Sequence, residues 1–169
     1  KLVPYKEAIL DLKHQISTCY DLLYYKYAEA LKIHDQWEKI YIDEMDFDLA
    51  PRFRAILCDA LLDYKKEDHL PIVKHRFFGA STPNGSTDYI EDLTRGFKRY
   101  FIKGRPGTGK STLLKELAKK SESLGYDTEI YHCSFDPESL DMVLIPKLNV
   151  CFFDSTAPHE YFPSVETDE

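Results

Sequence analysis

A glycine-rich octapeptide, Gly-Arg-Pro-Gly-Thr-Gly-Lys-Ser, occupies residues 104–111 of the 169-residue chain. It satisfies the pattern G-x-x-x-x-G-K-[ST], in which backbone N–H groups turn inward around phosphate oxygens. The apolar Tyr-Phe-Ile of residues 100–102 precedes it, and the Thr-Leu-Leu of residues 112–114 follows it. Because a strand, this loop and a helix in that order aim the helix N-terminus at a bound anion, the sequence predicts a phosphate-binding loop within an α/β fold.

The residue types of the octapeptide suit a nucleoside triphosphate bound together with Mg²⁺. Gly107 and Gly109 are the positions where a Cβ would most obstruct the phosphate cradle. Lys110 would reach the β and γ phosphates, and the Ser111 hydroxyl would ligate Mg²⁺. The alternative is a glycine-rich turn that binds nothing, but the flanking strand and helix favour binding. We therefore expect a nucleoside triphosphate and Mg²⁺ as cofactors, with nucleotide contacts from Gly104, Arg105, Pro106, Gly107, Thr108, Gly109, Lys110 and Ser111.

A second motif, the apolar run Val-Cys-Phe-Phe-Asp, occupies residues 150–154 and ends in an acid. Folds that carry this type of loop deliver a Mg²⁺-organising carboxylate at the end of such a strand, so Asp154 is predicted to hold the metal through water, together with Ser111. The alternative role for Asp154 is to cap the following turn through Ser155 or Thr156.

The polar segment after this run, residues 155–161, lies where open α/β sheets collect their ligands. Within it, His159 or Glu160 could orient an attacking water or accept a proton from an acceptor substrate, and a plain loop is the alternative. For residues 132–136 and 79–85, turn chemistry is the favoured interpretation. The predicted catalytic residues are therefore Lys110, Asp154, His159 and Glu160.

Arginine does not occur after Arg105. A cation that neutralises transition-state charge must then come from Arg105 itself, from an upstream arginine or from another chain. The upstream candidates are Arg76, Arg95 and Arg99. Arg105 lies inside the loop, where it either contacts phosphate or faces solvent.

The first forty residues are predicted to form one long helix, because apolar side chains recur at steps of three and four. A second helix is indicated by Asp48 as its cap, Pro51 in its first turn, and an apolar side within residues 53–64. The acidic residues 43–46 between them are interpreted as a solvated turn rather than a cation site. We expect a helical hairpin or connector over residues 1–70 and a nucleotide-binding α/β domain over residues 71–169.

Strand-like and helical segments alternate after Pro71, which predicts a largely parallel sheet of the P-loop NTPase type. The residues that follow Phe97 are fewer than a P-loop domain usually needs for its five strands, so we expect an incomplete sheet. The predicted segments are strands at residues 72–80, 99–103, 128–133 and 149–153, a turn at 81–86, and helices at 87–96, 110–124 and 137–144.

Charge and composition limit the classes of partner that the chain is expected to have. The formal net charge of -7 argues against nucleic acid, which usually requires a basic face. No apolar run is long enough to span a membrane and no signal-peptide layout is present, so cytoplasm is the expected location. No C-x-x-C pair occurs, and we expect buried reduced thiols rather than disulfides or a zinc site. The four thiols are those of Cys19, Cys58, Cys133 and Cys151.

Three segments together resemble a family of bacterial P-loop ATPase-like proteins: FGASTP at residues 78–83, FIKGRPGTGKST at 101–112, and FDSTAPHEY at 153–161. Members of that family look like two tandem P-loop halves joined by a helical region. The resemblance covers most of the chain, with the predicted hairpin as the connecting region and the α/β part as the start of the second half. It implies ATP as the nucleotide, with Thr112 as an added contact, and an expectation of ATP hydrolysis, carried over to residues 104–112 and Asp154.

The expected function is that of an ATP-dependent P-loop NTPase, an ATPase whose chemistry is mostly positioning and charge neutralisation. Because the chain resembles a fragment of that family, turnover is expected of the full-length protein. A phosphotransferase with an acceptor site near Asp154 and His159 is one alternative. A nucleotide-responsive interaction module, whose N-terminal helices dock a protein partner, is another, and it requires an exposed apolar stripe over residues 23–37.

Overall fold

The N-terminal part of the chain forms the two predicted helices. The computed structural model describes residues 2–62, 65–157, 160–164 and 168. Helix α1 spans Lys6–Asp43, and α2 spans Leu49–Leu61. Asp48 occupies the N-cap position of α2, as predicted, but its side chain makes no described cap hydrogen bond; Asp46 instead accepts the backbone N–H groups of Asp48 and Leu49, at 3.0 and 2.8 Å. Capping by Asp46 satisfies two amide groups at the start of α2, which explains an acid in this turn.

The strands form one main sheet and one hairpin. They are β1 Val73–Arg76, β2 Gly79–Thr82, β3 Gly85–Asp88, β4 Lys98–Ile102, β5 Thr128–His132, β6 Leu140–Ile145 and β7 Val150–Asp154. In the part of the chain that is described, the main sheet has the order β1-β5-β6-β7-β4. Strands β1, β5, β7 and β4 share one direction, while β6 is antiparallel to both of its neighbours. An α/β fold with a mostly parallel sheet is therefore confirmed.

Three predicted segments are corrected by the structure. The helix predicted at residues 137–144 is wrong, because this apolar stretch is buried as β6 between β5 and β7. The strand predicted at 72–80 breaks into β1 and β2. The helix predicted at 87–96 shortens to α3, Ile90–Leu93, because residues 85–88 pair with β2 instead. The predicted tight turn lies between Thr82 and Gly85.

The two faces of the main sheet bury separate clusters, because neighbouring side chains of a strand point to opposite faces. Helix α4, Lys110–Ser123, covers one face with Leu114 and Leu117, both fully buried. Cys58 and Leu62, in and just after α2, join the same cluster. The other face buries the second cluster, which contains Phe78, Ile90, Tyr131, Met142, Leu144, Cys151 and Phe153.

Helix α2 lies against α4 through ion pairs as well as apolar side chains. Arg54 Nε is 3.0 Å from Glu116 Oε1, and Lys120 pairs with Asp59. The apolar side predicted for α2 packs only in part, since Leu61 contacts the buried cluster while Phe53 and Ile56 are exposed. Tyr64, predicted on that side, lies outside the described residues. Helix α2 is therefore held by its Arg54, Cys58 and Leu62 side.

Helix α1 contains no buried residue. Its apolar side chains face solvent; Tyr24 and Ile33, for example, are 62% and 69% exposed. The apolar stripe over residues 23–37 is therefore exposed in the described structure. Aromatic contacts join α1 to the loop after β5, where the Phe135 ring lies 6.1 Å from that of Tyr27 and 6.0 Å from that of His34. No described helix combines the length and the apolar character needed to cross a bilayer.

The exposure of each cysteine side chain depends on how deeply its helix or strand is buried. All four are unpaired; Cys58 and Cys151 are buried and Cys133 is half-buried. Burial raises the pKa of the Cys151 thiol to about 12, which keeps it protonated and unreactive. The expectation of a buried thiol is wrong at Cys19, which is exposed on α1.

Candidate functional site

The glycine loop, residues 104–111, connects β4 to α4 at the edge of the sheet where β4 ends. Gly107 and Gly109 have φ values of 79° and 87°, in the left-handed region that residues with a Cβ rarely adopt. Gly109 is the residue immediately before α4. The two glycines singled out by the sequence therefore bend the backbone towards the start of the helix.

Lys110 folds back across the glycine loop. Its Nζ donates hydrogen bonds to the carbonyl oxygens of Gly104 and Arg105, at 2.9 and 3.1 Å. The same Nζ lies 3.5 Å from Asp154 Oδ2, and the Lys110 side chain is only 12% exposed. The ammonium group is thus held inside the loop by oxygen atoms, and the oxygens of an anion could compete for it.

Asp154 reaches the glycine loop because β7 pairs in parallel with β4, which places Ile102 opposite Asp154. The Asp154 Oδ1 atom accepts the backbone N–H of Thr156 at 3.0 Å, so the turn role kept as an alternative is present. Its Oδ2 faces Lys110. One carboxylate therefore caps a turn with one oxygen and faces the loop lysine with the other.

Hydroxyl groups tie the glycine loop to its neighbours. Ser111 Oγ accepts the backbone N–H of Leu140 at 2.9 Å, which leaves a further lone pair on that oxygen. Thr108 Oγ1 donates to the Arg105 carbonyl at 2.7 Å. Thr156 Oγ1 donates to the Gly104 carbonyl at 3.1 Å, a contact that sequence analysis missed. Thr112, predicted to contact nucleotide, is exposed on α4.

Two predicted catalytic residues are not joined to this arrangement. His159 lies outside the described residues, and Glu160 is exposed with no described contact to the glycine loop. Two hydrogen bonds instead join Ser155 to Tyr161. The Ser155 hydroxyl donates to the Tyr161 carbonyl at 2.8 Å and accepts the Tyr161 N–H at 3.0 Å. Burial, and then its hydrogen bond to Asp88, raise the pKa of the Tyr161 phenol, so this group stays protonated.

Salt bridges hold the three candidate arginines that lie upstream of the glycine loop. Arg105 is exposed, and no described ion pair involves it. It is therefore the arginine of the four candidates that remains available to a ligand at the loop. The others pair locally: Arg76 with Glu129 at 3.6 Å, Arg95 with Asp92 at 2.5 Å, and Arg99 with Asp168 at 2.7 Å.

Residues 132–136 make the turn that the sequence favoured. His132 Nδ1 donates to the Pro137 carbonyl at 2.6 Å, because a carbonyl can only accept. Ser134 Oγ donates to the Gly79 carbonyl at 3.2 Å. Asp136 accepts the backbone N–H of Glu138 at 3.1 Å. The His132 and Asp136 side chains thus satisfy local backbone groups, and Ser134 joins this turn to the start of β2.

A part of α1 lies beside the glycine loop, which sequence analysis missed. A Cβ placed on Gly107 would fall well inside contact distance of the Glu38 carbonyl oxygen and 3.0 Å from Glu38 Cγ. Ligand-type atoms of His34, Asp35 and Glu38 lie within 4.8 Å of one another. The spacing of four places His34 and Glu38 on one side of α1, but a single sequence gives no sign of which loop that side meets.

Comparison of the chain with protein-family models, with curated proteins and with solved structures finds no match. The resemblance to tandem P-loop ATPase-like proteins stays a prediction that rests on three sequence segments.

Proposed function

We propose that this chain binds a nucleoside triphosphate, ATP in the first instance, together with Mg²⁺ at the glycine loop. The observation that carries the proposal is the position of Lys110, whose Nζ lies 2.9 Å from the Gly104 carbonyl and 3.5 Å from Asp154 Oδ2. A strand, a loop bent by left-handed glycines and a helix start supply the backbone N–H groups and the positive helix end that phosphate requires.

The residues present fit Mg²⁺ and a triphosphate. Lys110 would exchange its loop carbonyls for the β and γ phosphate oxygens. Ser111 and Asp154 would hold the cation, since each has an oxygen lone pair to offer beside its described hydrogen bond. Mg²⁺ would neutralise phosphate charge when bound, and ATP hydrolysis is the reaction that we propose for this arrangement.

Replacing Lys110 by alanine tests the binding site. We expect Lys110→Ala to abolish Mg·ATP binding in isothermal titration calorimetry, a loss of at least about 100-fold, because the buried cation facing the anion is removed. Lys115→Ala is the matched control, since Lys115 is an exposed lysine on the same helix. Unchanged affinity in Lys110→Ala, with circular dichroism showing an intact fold, contradicts the proposal.

Asp154→Asn tests the metal role. The variant keeps an oxygen that can accept the Thr156 N–H but removes the negative charge, so the turn should survive while Mg²⁺ is held more weakly. We expect the dependence of ATP affinity on Mg²⁺ to shift to about tenfold higher Mg²⁺, measured by titrating ATP at several Mg²⁺ concentrations. The metal assignment fails if the wild-type and Asp154→Asn curves coincide.

A nucleotide-responsive interaction module is the second candidate function. Its first requirement, an exposed stripe over residues 23–37, is met: Leu23, Tyr24, Ile33 and Trp37 are all exposed. Its second requirement is binding without turnover. Phosphate release measured on samples that bind Mg·ATP separates the two functions, because release above the buffer rate favours the NTPase and its absence favours the module.

A further inference from the structure

We propose that α1 is a latch that restrains the glycine loop and opposes nucleotide binding, so that residues 34–38 must move aside when a triphosphate binds. This inference rests on the proposed function. It starts from the contact at Gly107, where the Glu38 backbone occupies the space that a Cβ would take. Gly107 is part of the loop whose N–H groups would surround the phosphates.

The path of α1 brings it across the nucleotide site. Strands β5 and β4 are three strand spacings apart in the sheet, about 14 Å. The contacts of α1 at Tyr27 and Glu38 are separated by a helical rise of about 16 Å. The first contact is with Phe135 in the loop after β5, and the second is with Gly107 in the loop after β4. Helix α1 therefore spans the carboxyl edge of the sheet, where ligands of open α/β sheets bind.

The charge of this part of α1 opposes a triphosphate. The Glu38 side chain lies against Gly107, and the Asp35 carboxyl is within 4.8 Å of the Glu38 carboxyl. Among the described ion pairs, Glu38 has no basic partner, and Asp35 has only the His34 ring at 3.8 Å. Bringing phosphate oxygens next to these carboxylates costs Coulomb energy, so the latched position disfavours the ligand.

The attachment of the latch is weak enough to release. Helix α1 buries no residue, and the described ring contacts that fasten it to the α/β part all involve Phe135. Edge-to-face pairs of this kind add only a little stability each. A ligand that binds the released state better can therefore shift the population.

The test compares Mg·ATP affinities by isothermal titration calorimetry in two releasing variants. Asp35→Asn/Glu38→Gln removes the repulsion, and Phe135→Ala removes the ring contacts. We expect each to bind Mg·ATP about fivefold to tenfold more tightly than wild type. The control Asp11→Asn/Asp21→Asn loses the same charge on the same helix, about 20 Å or more from Asp35, and should match wild type because salt screens that distance.

A second measurement, tryptophan fluorescence, reports the movement of α1 and does not depend on enzymatic activity. Trp37 is the chain's single tryptophan and adjoins Glu38, so its fluorescence should change when Mg·ATP binds wild type and stay constant in Lys110→Ala.

Two results overturn the latch, and they differ. If wild type binds Mg·ATP and Lys110→Ala does not, while both releasing variants bind as weakly as wild type or more weakly, the latch is wrong and the proposed function stands. If neither wild type nor either releasing variant binds Mg·ATP, the proposed function fails and the latch fails with it.

Discussion

Gly107 and Gly109 share a backbone conformation but differ in their surroundings. Both have positive φ values, 79° and 87°. A Cβ at Gly109 would meet nothing within 4 Å, whereas one at Gly107 would meet the Glu38 backbone. Glycine is therefore favoured at Gly107 by both its backbone conformation and its contact with α1. At Gly109 the backbone conformation alone favours glycine, within the described residues.

This difference gives a matched pair of substitutions. Gly109→Ala should lower the free energy of unfolding by about 1–2 kcal/mol, the cost of a left-handed residue with a Cβ. Gly107→Ala should lower it further, because Glu38 must also be displaced. Urea unfolding followed by circular dichroism measures both. Equal losses would show that α1 does not rest on Gly107.

At the scale of elements, β4, the glycine loop and α4 were predictable because local signals agreed there. An apolar strand, the required glycines and a helical period follow one another in the sequence, and the structure has them in place. The position of Asp154 beside Lys110 depends on the parallel pairing of β7 with β4, which the motif context predicted only in outline.

Strand β6 could not be predicted in the same way. Its sequence, Leu-Asp-Met-Val-Leu-Ile, is a short apolar run that is equally compatible with a buried helix. Pairing with β5 and β7 decides the outcome, and that pairing is a property of the sheet as a whole. The helix predicted at residues 137–144 is therefore wrong because tertiary pairing, and not the local sequence, decides the structure there.

Helix α4 should carry much of the stability of the α/β part. Leu117 is fully buried between α4 and the sheet, so Leu117→Ala should lower the free energy of unfolding by about 2–5 kcal/mol. Lys119→Ala, on the exposed side of the same helix, should change it by less than about 0.5 kcal/mol. Similar urea midpoints for the two variants would contradict this packing.

At the scale of the whole molecule, a packed α/β part carries a long helix that is exposed along its length. The sequence predicted the extent of α1 well, because the helical period is strong, but not its surroundings. An apolar stripe predicts that something covers it and does not say what. The contact of α1 with the glycine loop depends on the fold as a whole and had no signal in the sequence.

The central claim is that backbone amides of the glycine loop and Lys110 bind a triphosphate, and amide NMR tests it directly. On addition of Mg·ATP, the resonances of Gly107, Thr108 and Gly109 should shift and saturate at the calorimetric affinity, and they should stay in place in Lys110→Ala. If these amides do not move in wild type at millimolar Mg·ATP, the claim is contradicted.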